Sequence, residues 1–162
     1  MRDKKGFTLI EILIVMIIFS VIAAMITGNF FTSLKKGRDA RRKTDLEQIR
    51  KSLEMYYEDK RAYPTPIPGG GSGFVFGSAF SDPTNGKVYM YKTPNDPVST
   101  KNYQYVSNGQ TYGLYACLEN TEQVLPYVST NYGTFTCNVN CKKSDGSSTS
   151  CIWVISDTNS TP

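Results

Sequence analysis

Lys4-Lys5-Gly6-Phe7-Thr8-Leu9-Ile10-Glu11-Ile12-Leu13-Ile14-Val15-Met16-Ile17-Ile18 decides how this chain folds, because a basic start gives way at once to an apolar run broken by one glutamate. From Ile12 to Leu34, 23 consecutive residues carry no charge, and those up to Ile26 are almost wholly aliphatic. A helix rises 1.5 Å per residue, so about 20 residues cross a bilayer core of roughly 30 Å. A cleaved secretory signal is the plainer reading, with Arg2, Lys4 and Lys5 as its basic region. Such signals have an apolar region of about 7–15 residues that ends in small residues at the cleavage site. Here the run is longer and a basic cluster follows it, so it reads as a retained membrane helix.

Outside that run, the 162-residue chain has the makeup of one globular domain, with 40% hydrophobic and 20% charged residues, which excludes a wholly disordered protein. It has no histidine, and so lacks the commonest general base and the commonest metal ligand. The net charge of +4 is unevenly placed: residues 1–6 carry +2, 7–34 carry −1, 35–61 carry +4 and 62–162 carry −1. Basic flanks around an uncharged run are the pattern of a membrane segment rather than a nucleic-acid surface. No nucleic-acid partner is expected.

Each residue at the junction has a physical role. Gly6 has no side chain and can lie extended in a narrow protease cleft. Lys4 and Lys5 hold the start of the chain at the cytoplasmic headgroups. Glu11 costs about 2.5–3.5 kcal/mol if it sits centrally in a bilayer, and less near the interface. A carboxylate snorkelling to the headgroups is the plainer account of it. The whole arrangement, however, resembles the class III signal of type IV pilins and pseudopilins: a short basic leader, a glycine, a phenylalanine and a glutamate five residues past the glycine. The resemblance implies cleavage by prepilin peptidase between Gly6 and Phe7, and N-methylation of Phe7. It also implies an ion pair between Glu11 and the new amino group on a neighbouring subunit. One feature opposes the implied orientation. Lys35, Lys36, Arg38, Arg41, Arg42 and Lys43 come after the helix, six basic residues against three before it, and the positive-inside rule alone places the C-terminal part of the chain in the cytoplasm.

Beyond the apolar run the helical pattern continues. Leu46, Ile49, Leu53 and Tyr56 or Tyr57 recur at three- and four-residue spacing, with Arg50, Lys51, Glu54 and Glu58 on other faces. No proline interrupts residues 7–63, so a single helix of about 50 residues is expected, with Gly28 and Gly37 as its weak points. Tyr63-Pro64-Thr65-Pro66-Ile67-Pro68 ends it, and Gly69-Gly70-Gly71-Ser72-Gly73 reads as a flexible loop. That loop lacks the Gly-Lys-Ser/Thr of a phosphate cradle. Strand-like runs come next at 87–91, 103–106, 112–118, 133–140 and 151–156, with turn signals at Asn85-Gly86, Asn108-Gly109 and Asp145-Gly146. The expected fold is α+β: a leader at 1–6, a transmembrane and assembly helix at 7–34, an amphipathic continuation at 35–63, a Pro/Gly-rich loop at 64–86 and an antiparallel β head at 87–162.

Asp82-Pro83, Tyr89, Pro94, Asp96-Pro97, Tyr103, Tyr105 and Tyr112-Gly113-Leu114-Tyr115 are similar to the head of the major pseudopilins. Those proteins often carry an aspartate-rich calcium loop after the second strand. Here Glu119-Asn120-Thr121-Glu122 supplies few of the six to eight oxygens calcium takes, so a solvated loop is expected and no cofactor is assigned. Cys117, Cys137, Cys141 and Cys151 have no histidine beside them and the wrong spacing for zinc. An even number in an exported domain reads as two disulfides, with three possible connectivities. The favoured pairing is Cys141–Cys151 across the 142–150 hairpin loop and Cys117–Cys137 between neighbouring strands. Asn159-Ser160-Thr161 is a weak match to a glycosylation sequon.

Two function classes fit. One is a structural subunit of a type IV pilus or pseudopilus, with copies of itself, other pilins and prepilin peptidase as partners. It would sit in the cytoplasmic membrane with its head outside, then in a filament. The other is a single-pass anchored binding domain, an adhesin or sensor that never polymerises. Glu11 and the Gly6–Phe7 junction favour the first, because an anchor needs neither. No nucleophile–base pair or metal set suggests an enzyme.

Overall fold

In the computed structural model, the described residues are 6–65, 74–125, 135, 137–143 and 146–156; the side chains of 26–29 and 143 are also outside the description. The leader residues Arg2, Lys4 and Lys5, the glycine run 69–73, Asp145 and the 159–161 sequon lie outside the described residues, as does the side-chain environment of Gly28.

Among the described residues the chain forms α1 (Leu9–Lys60) followed by eight short strands, an α+β arrangement. The helix ends three residues before the expected boundary at 63. Arg61 turns into the left-handed region (φ 56°), and its N–H donates to the Tyr57 carbonyl at 2.7 Å. This closing bond stops the helix before Pro64 can. The chain divides into two compact units, Met1–Lys35 and Lys36–Pro162.

In the first unit, every described side chain between residues 7 and 34 is exposed. Among the described residues no single helix is long and apolar enough to cross a membrane; the stretches Leu9–Met25 and Phe30–Lys60 reach that measure together.

In the second unit, the helical stripe Leu46, Ile49 and Leu53 is wholly buried, and Tyr56 and Tyr57 pack beside it. It lies against the antiparallel sheet β3 (Gln104–Ser107), β4 (Tyr112–Cys117) and β8 (Ile152–Ser156), with β4 central. Leu114 stands opposite Tyr105 on one side and Ile155 on the other. Side chains alternate across a strand, so Tyr112, Leu114 and Ala116 enter the core with the helix stripe. Tyr115 points to the other face, into a second cluster with Cys137, Ile152 and Val154, beside Cys117 and Phe135. A side chain at Gly113 would strike the Tyr115 ring, which lies over it.

Two smaller sheets accompany the β3–β4–β8 sheet among the described residues of the head. β1 (Phe80–Ser81) pairs with β2 (Val88–Met90), which puts a strand inside the expected 64–86 loop. β5 (Val124–Leu125) runs parallel to β6 (Asn140–Lys143), which is antiparallel to β7 (Ser148–Ser150). The strand expected at 133–140 is displaced: its described residues before Asn140 are not in a strand, and pairing begins where the expected strand ends. Cys137 is instead bonded to Cys117, and the Val139 carbonyl accepts the Cys151 N–H at 2.8 Å. The second disulfide, Cys141–Cys151, closes the β6–β7 hairpin, in keeping with the hairpin expected across 142–150. The described cysteines are all bonded.

Candidate functional site

The helix start is built by Thr8 and Glu11. The Thr8 hydroxyl accepts the Glu11 N–H at 3.3 Å, and the Thr8 carbonyl accepts the Ile12 N–H at 3.4 Å. In return, Glu11 Oε2 accepts both the Thr8 N–H and the Thr8 hydroxyl, each at 3.2 Å. This is a capping box, in which two orphan donors of the first turn are satisfied reciprocally. Its signature, a threonine with a glutamate three residues on before an apolar run, stands at Thr8-Leu9-Ile10-Glu11, where the sequence had suggested only a snorkelling or pairing role for the glutamate. Glu11 also lies in the first turn, where the helix dipole favours a negative charge. Just before the cap, Phe7 is 82% exposed, and the Cβ position of Gly6 meets nothing within 4 Å.

The head contains a second polar centre, in a stretch whose sequence looks like a basic flank of the membrane helix. Arg42 is wholly buried. Its Nε and Nη2 donate to Asp96 Oδ2 and Oδ1 at 2.7 and 2.9 Å, Nη1 to Asp39 Oδ1 at 2.8 Å, and Nη2 also to Glu119 Oε1 at 2.6 Å. Arg38 reaches both oxygens of Glu119 through Nε, at 3.2 and 3.1 Å, and through Nη2. Asp39 further accepts the backbone N–H groups of Glu119 and Asn120, and Asp96 accepts that of Val98. The loop after β4 is thus pinned to the helix at Glu119 rather than solvated, which corrects the expectation for 119–122. Thr121 and Glu122 fit it: both are exposed, and Glu122 pairs with Lys142.

Burial opposes the Arg42 charge, but its hydrogen bonds to Asp96, Glu119 and Asp39 outweigh it and hold the guanidinium above its ordinary value. Hydrogen bonding from Arg38, with Arg42 beside it, outweighs burial and holds the Glu119 carboxyl down at about 2. A sequence signal for this cluster existed. Counting back along the stripe from Leu53, Ile49 and Leu46 by the same three- and four-residue intervals reaches Arg42 and Asp39. Charged residues at core positions announce buried pairing.

Tyrosine hydroxyls tie other helix carboxylates to the head. Tyr103 donates to Asp45 at 2.8 Å, Tyr63 and Tyr112 to Glu54 at 3.0 Å each, and Tyr89 to Asp59 at 2.7 Å. Glu54 therefore turns toward the head instead of standing on a solvent face. Burial, reinforced by Asp45, raises the Tyr103 hydroxyl well above its ordinary range.

Residues 1–27 match the prokaryotic N-terminal methylation motif, and residues 29–120 match the family described as type II secretion system (T2SS), protein G. The chain belongs to the type II secretion system protein G family. Similar curated proteins include the type II secretion system core protein G of Vibrio cholerae serotype O1, 31% identical over 67% of this chain and 75% of the relative. That of Pseudomonas aeruginosa is 31% identical over 67% and 77%, and that of Escherichia coli K12 is 28% identical over 71% and 79%. No solved structure matches the chain. The protein G match ends at Asn120, one residue past Glu119, so the whole ion cluster lies inside it. Cys137, Cys141, Cys151 and β8 lie beyond it.

Proposed function

We propose that prepilin peptidase cuts this pseudopilin between Gly6 and Phe7, that Phe7 is then methylated, and that the mature chain assembles through its N-terminal helix into a type II secretion pseudopilus. As a protein G family member carrying the methylation motif, the chain is a structural filament subunit. The observation that carries the finer reading is the surface of the first unit: every described side chain from 7 to 34 is exposed, and Glu11 is the one charge among these residues. Such a surface demands an apolar solvent, either lipid or a bundle of like helices. Within a bundle, Glu11 pairs with the Phe7 amine of a neighbouring copy. Copies of itself, other pilins and the peptidase are its partners.

The subunit waits in the cytoplasmic membrane with its head outside, an orientation supported by the disulfides, which persist in oxidising compartments. The six basic residues after the apolar run weigh less against it once the head folds, because carboxylates of the head take up Arg38 and Arg42. Electron microscopy of filaments, combined with N-terminal mass spectrometry of their subunits, tests the proposal. Subunits beginning at methylated Phe7 are expected. Assembled subunits that retain Met1 overturn it.

A further inference from the structure

The Arg42 cluster has the ingredients of a cation site: three carboxylates, from Asp39 on the helix, Asp96 before β3 and Glu119 after β4, converging on one point. The resemblance to major pseudopilins raises calcium as the cation expected near this loop, and the donor set can be tested for it. Calcium needs six to eight oxygens at about 2.3–2.6 Å. The three carboxylates offer six, and all six already accept hydrogen bonds. Asp39 Oδ1 holds Arg42 and the Glu119 N–H, and its Oδ2 holds the N–H groups of Glu119 and Asn120. Asp96 Oδ1 holds Arg42 and the Val98 N–H, and its Oδ2 holds Arg42. Glu119 Oε1 holds Arg42 and Arg38, and its Oε2 holds Arg38. Among the described residues, no group of acidic or sulfur side chains is arranged to hold a metal. The residues do not fit calcium.

We infer that the Arg42 guanidinium is the resident cation of this carboxylate cage, and that the head folds and holds its Glu119 loop without a divalent ion. A guanidinium presents five donors in a fixed fork, and here its donors go to three carboxylates at once. It stays charged at any physiological pH and is covalently part of α1. It therefore ties the segments before β3 and after β4 to the helix in a link that no chelator removes. A metal held by the same carboxylates would come and go with the ion supply outside the cell. This inference concerns the folding of the head and stands apart from the filament reading.

The test is thermal unfolding of the full chain in non-ionic detergent, which requires no filament. Wild type is compared in EDTA and in about 10 mM calcium at matched ionic strength, a level tenfold or more above the Kd of weak extracellular calcium modules. Equal midpoints are expected. A midpoint that rises with calcium overturns the inference, and this comparison does not depend on any variant folding. Arg42→Met supplies the second arm. In EDTA at neutral pH its midpoint should fall by roughly 10 °C, because three carboxylates lose their common partner. The deficit should shrink as the pH falls from about 4.5 toward 2, the range over which wild type loses the contribution of Glu119. An unchanged midpoint, or the same deficit at neutral pH and near pH 2, shows that Arg42 contributes packing alone and overturns the assignment.

Discussion

Glu119→Gln removes one negative charge from the Arg42 cluster while keeping the side chain's shape. In the folded chain, hydrogen bonding from Arg38, opposed by burial and aided by Arg42, holds the Glu119 carboxyl at about 2 instead of its ordinary 4.5. A folded-state value below the unfolded one means that the unfolded chain binds the proton more readily. The stability this group contributes is complete above about pH 4.5 and is lost as the pH falls to about 2. At about 1.4 kcal/mol per tenfold, the full contribution at neutral pH is about 3 kcal/mol. The side chain is only 13% exposed, so solvent screening removes little of this. Breaking a buried ion pair typically costs about 3–5 kcal/mol, so two independent routes agree.

Urea unfolding of the full chain in non-ionic detergent, followed by the fluorescence of Trp153, the single tryptophan, measures the effect on the head. Glu119→Gln is expected to lose about 3 kcal/mol at neutral pH, with the gap from wild type closing as the pH approaches 2. Glu122→Gln is the control. Its ion pair with Lys142 has a similar length, 2.7 Å, but the two side chains are 68% and 59% exposed, so no measurable change is expected. Equal stability of Glu119→Gln and wild type at neutral pH, or parallel curves down to pH 2, refutes the reasoning.

Glu11→Gln should leave membrane insertion and processing intact but reduce the number of filaments. Even about 1.4 kcal/mol lost per subunit is tenfold in each addition step, and filament counts beside normal amounts of mature membrane protein give the readout. Wild-type filament numbers would make Glu11 a helix cap only. Replacing either disulfide by two serines should cost about 3 kcal/mol in the same urea assay. The Cys117–Cys137 pair, separated by 20 residues, should cost slightly more than Cys141–Cys151, separated by 10. Non-reducing peptide maps of exported protein should show these two pairs and no free thiol.

How much of the chain was legible depended on how local its physics is. An uncharged run and a three–four stripe are each written in neighbouring residues, and α1 with its buried Leu46, Ile49 and Leu53 results from them, while its end is set by Arg61 ahead of the proline-rich stretch. β2, β3, β4 and β8 were marked by tyrosine- and valine-rich runs between turn signals. β1 and β5 have two residues each, too few to carry an alternation, and they exist because a partner strand lies beside them. The distant partners of Arg42 were hidden for a different reason. Its partners Asp96 and Glu119 stand 54 and 77 residues away along the chain, so a basic run that reads as a membrane flank is, in part, core.

The two centres on α1 obey one rule at opposite levels of solvation. A charge can occupy an apolar setting only if partners are already in place, and both Glu11 and Arg42 bring theirs. For Arg42 the partners are permanent, three carboxylates of the same folded head. For Glu11 they are local and replaceable: a threonine hydroxyl and a backbone N–H at the very start of the helix. That difference suits a subunit that must wait in lipid before it assembles. The capping box lowers the cost of an apolar surrounding while the subunit is alone, so the carboxylate never enters the bilayer without a partner. Cleavage after Gly6 would create an amine on Phe7, adjacent to the cap. Under the proposed pairing, assembly would exchange neutral donors for a charged one on a neighbour, and charge-assisted bonds are roughly twice as strong as neutral ones. The driving force per subunit is the difference between the two arrangements, smaller than the full value of a buried ion pair. A filament built from such steps can both grow and come apart.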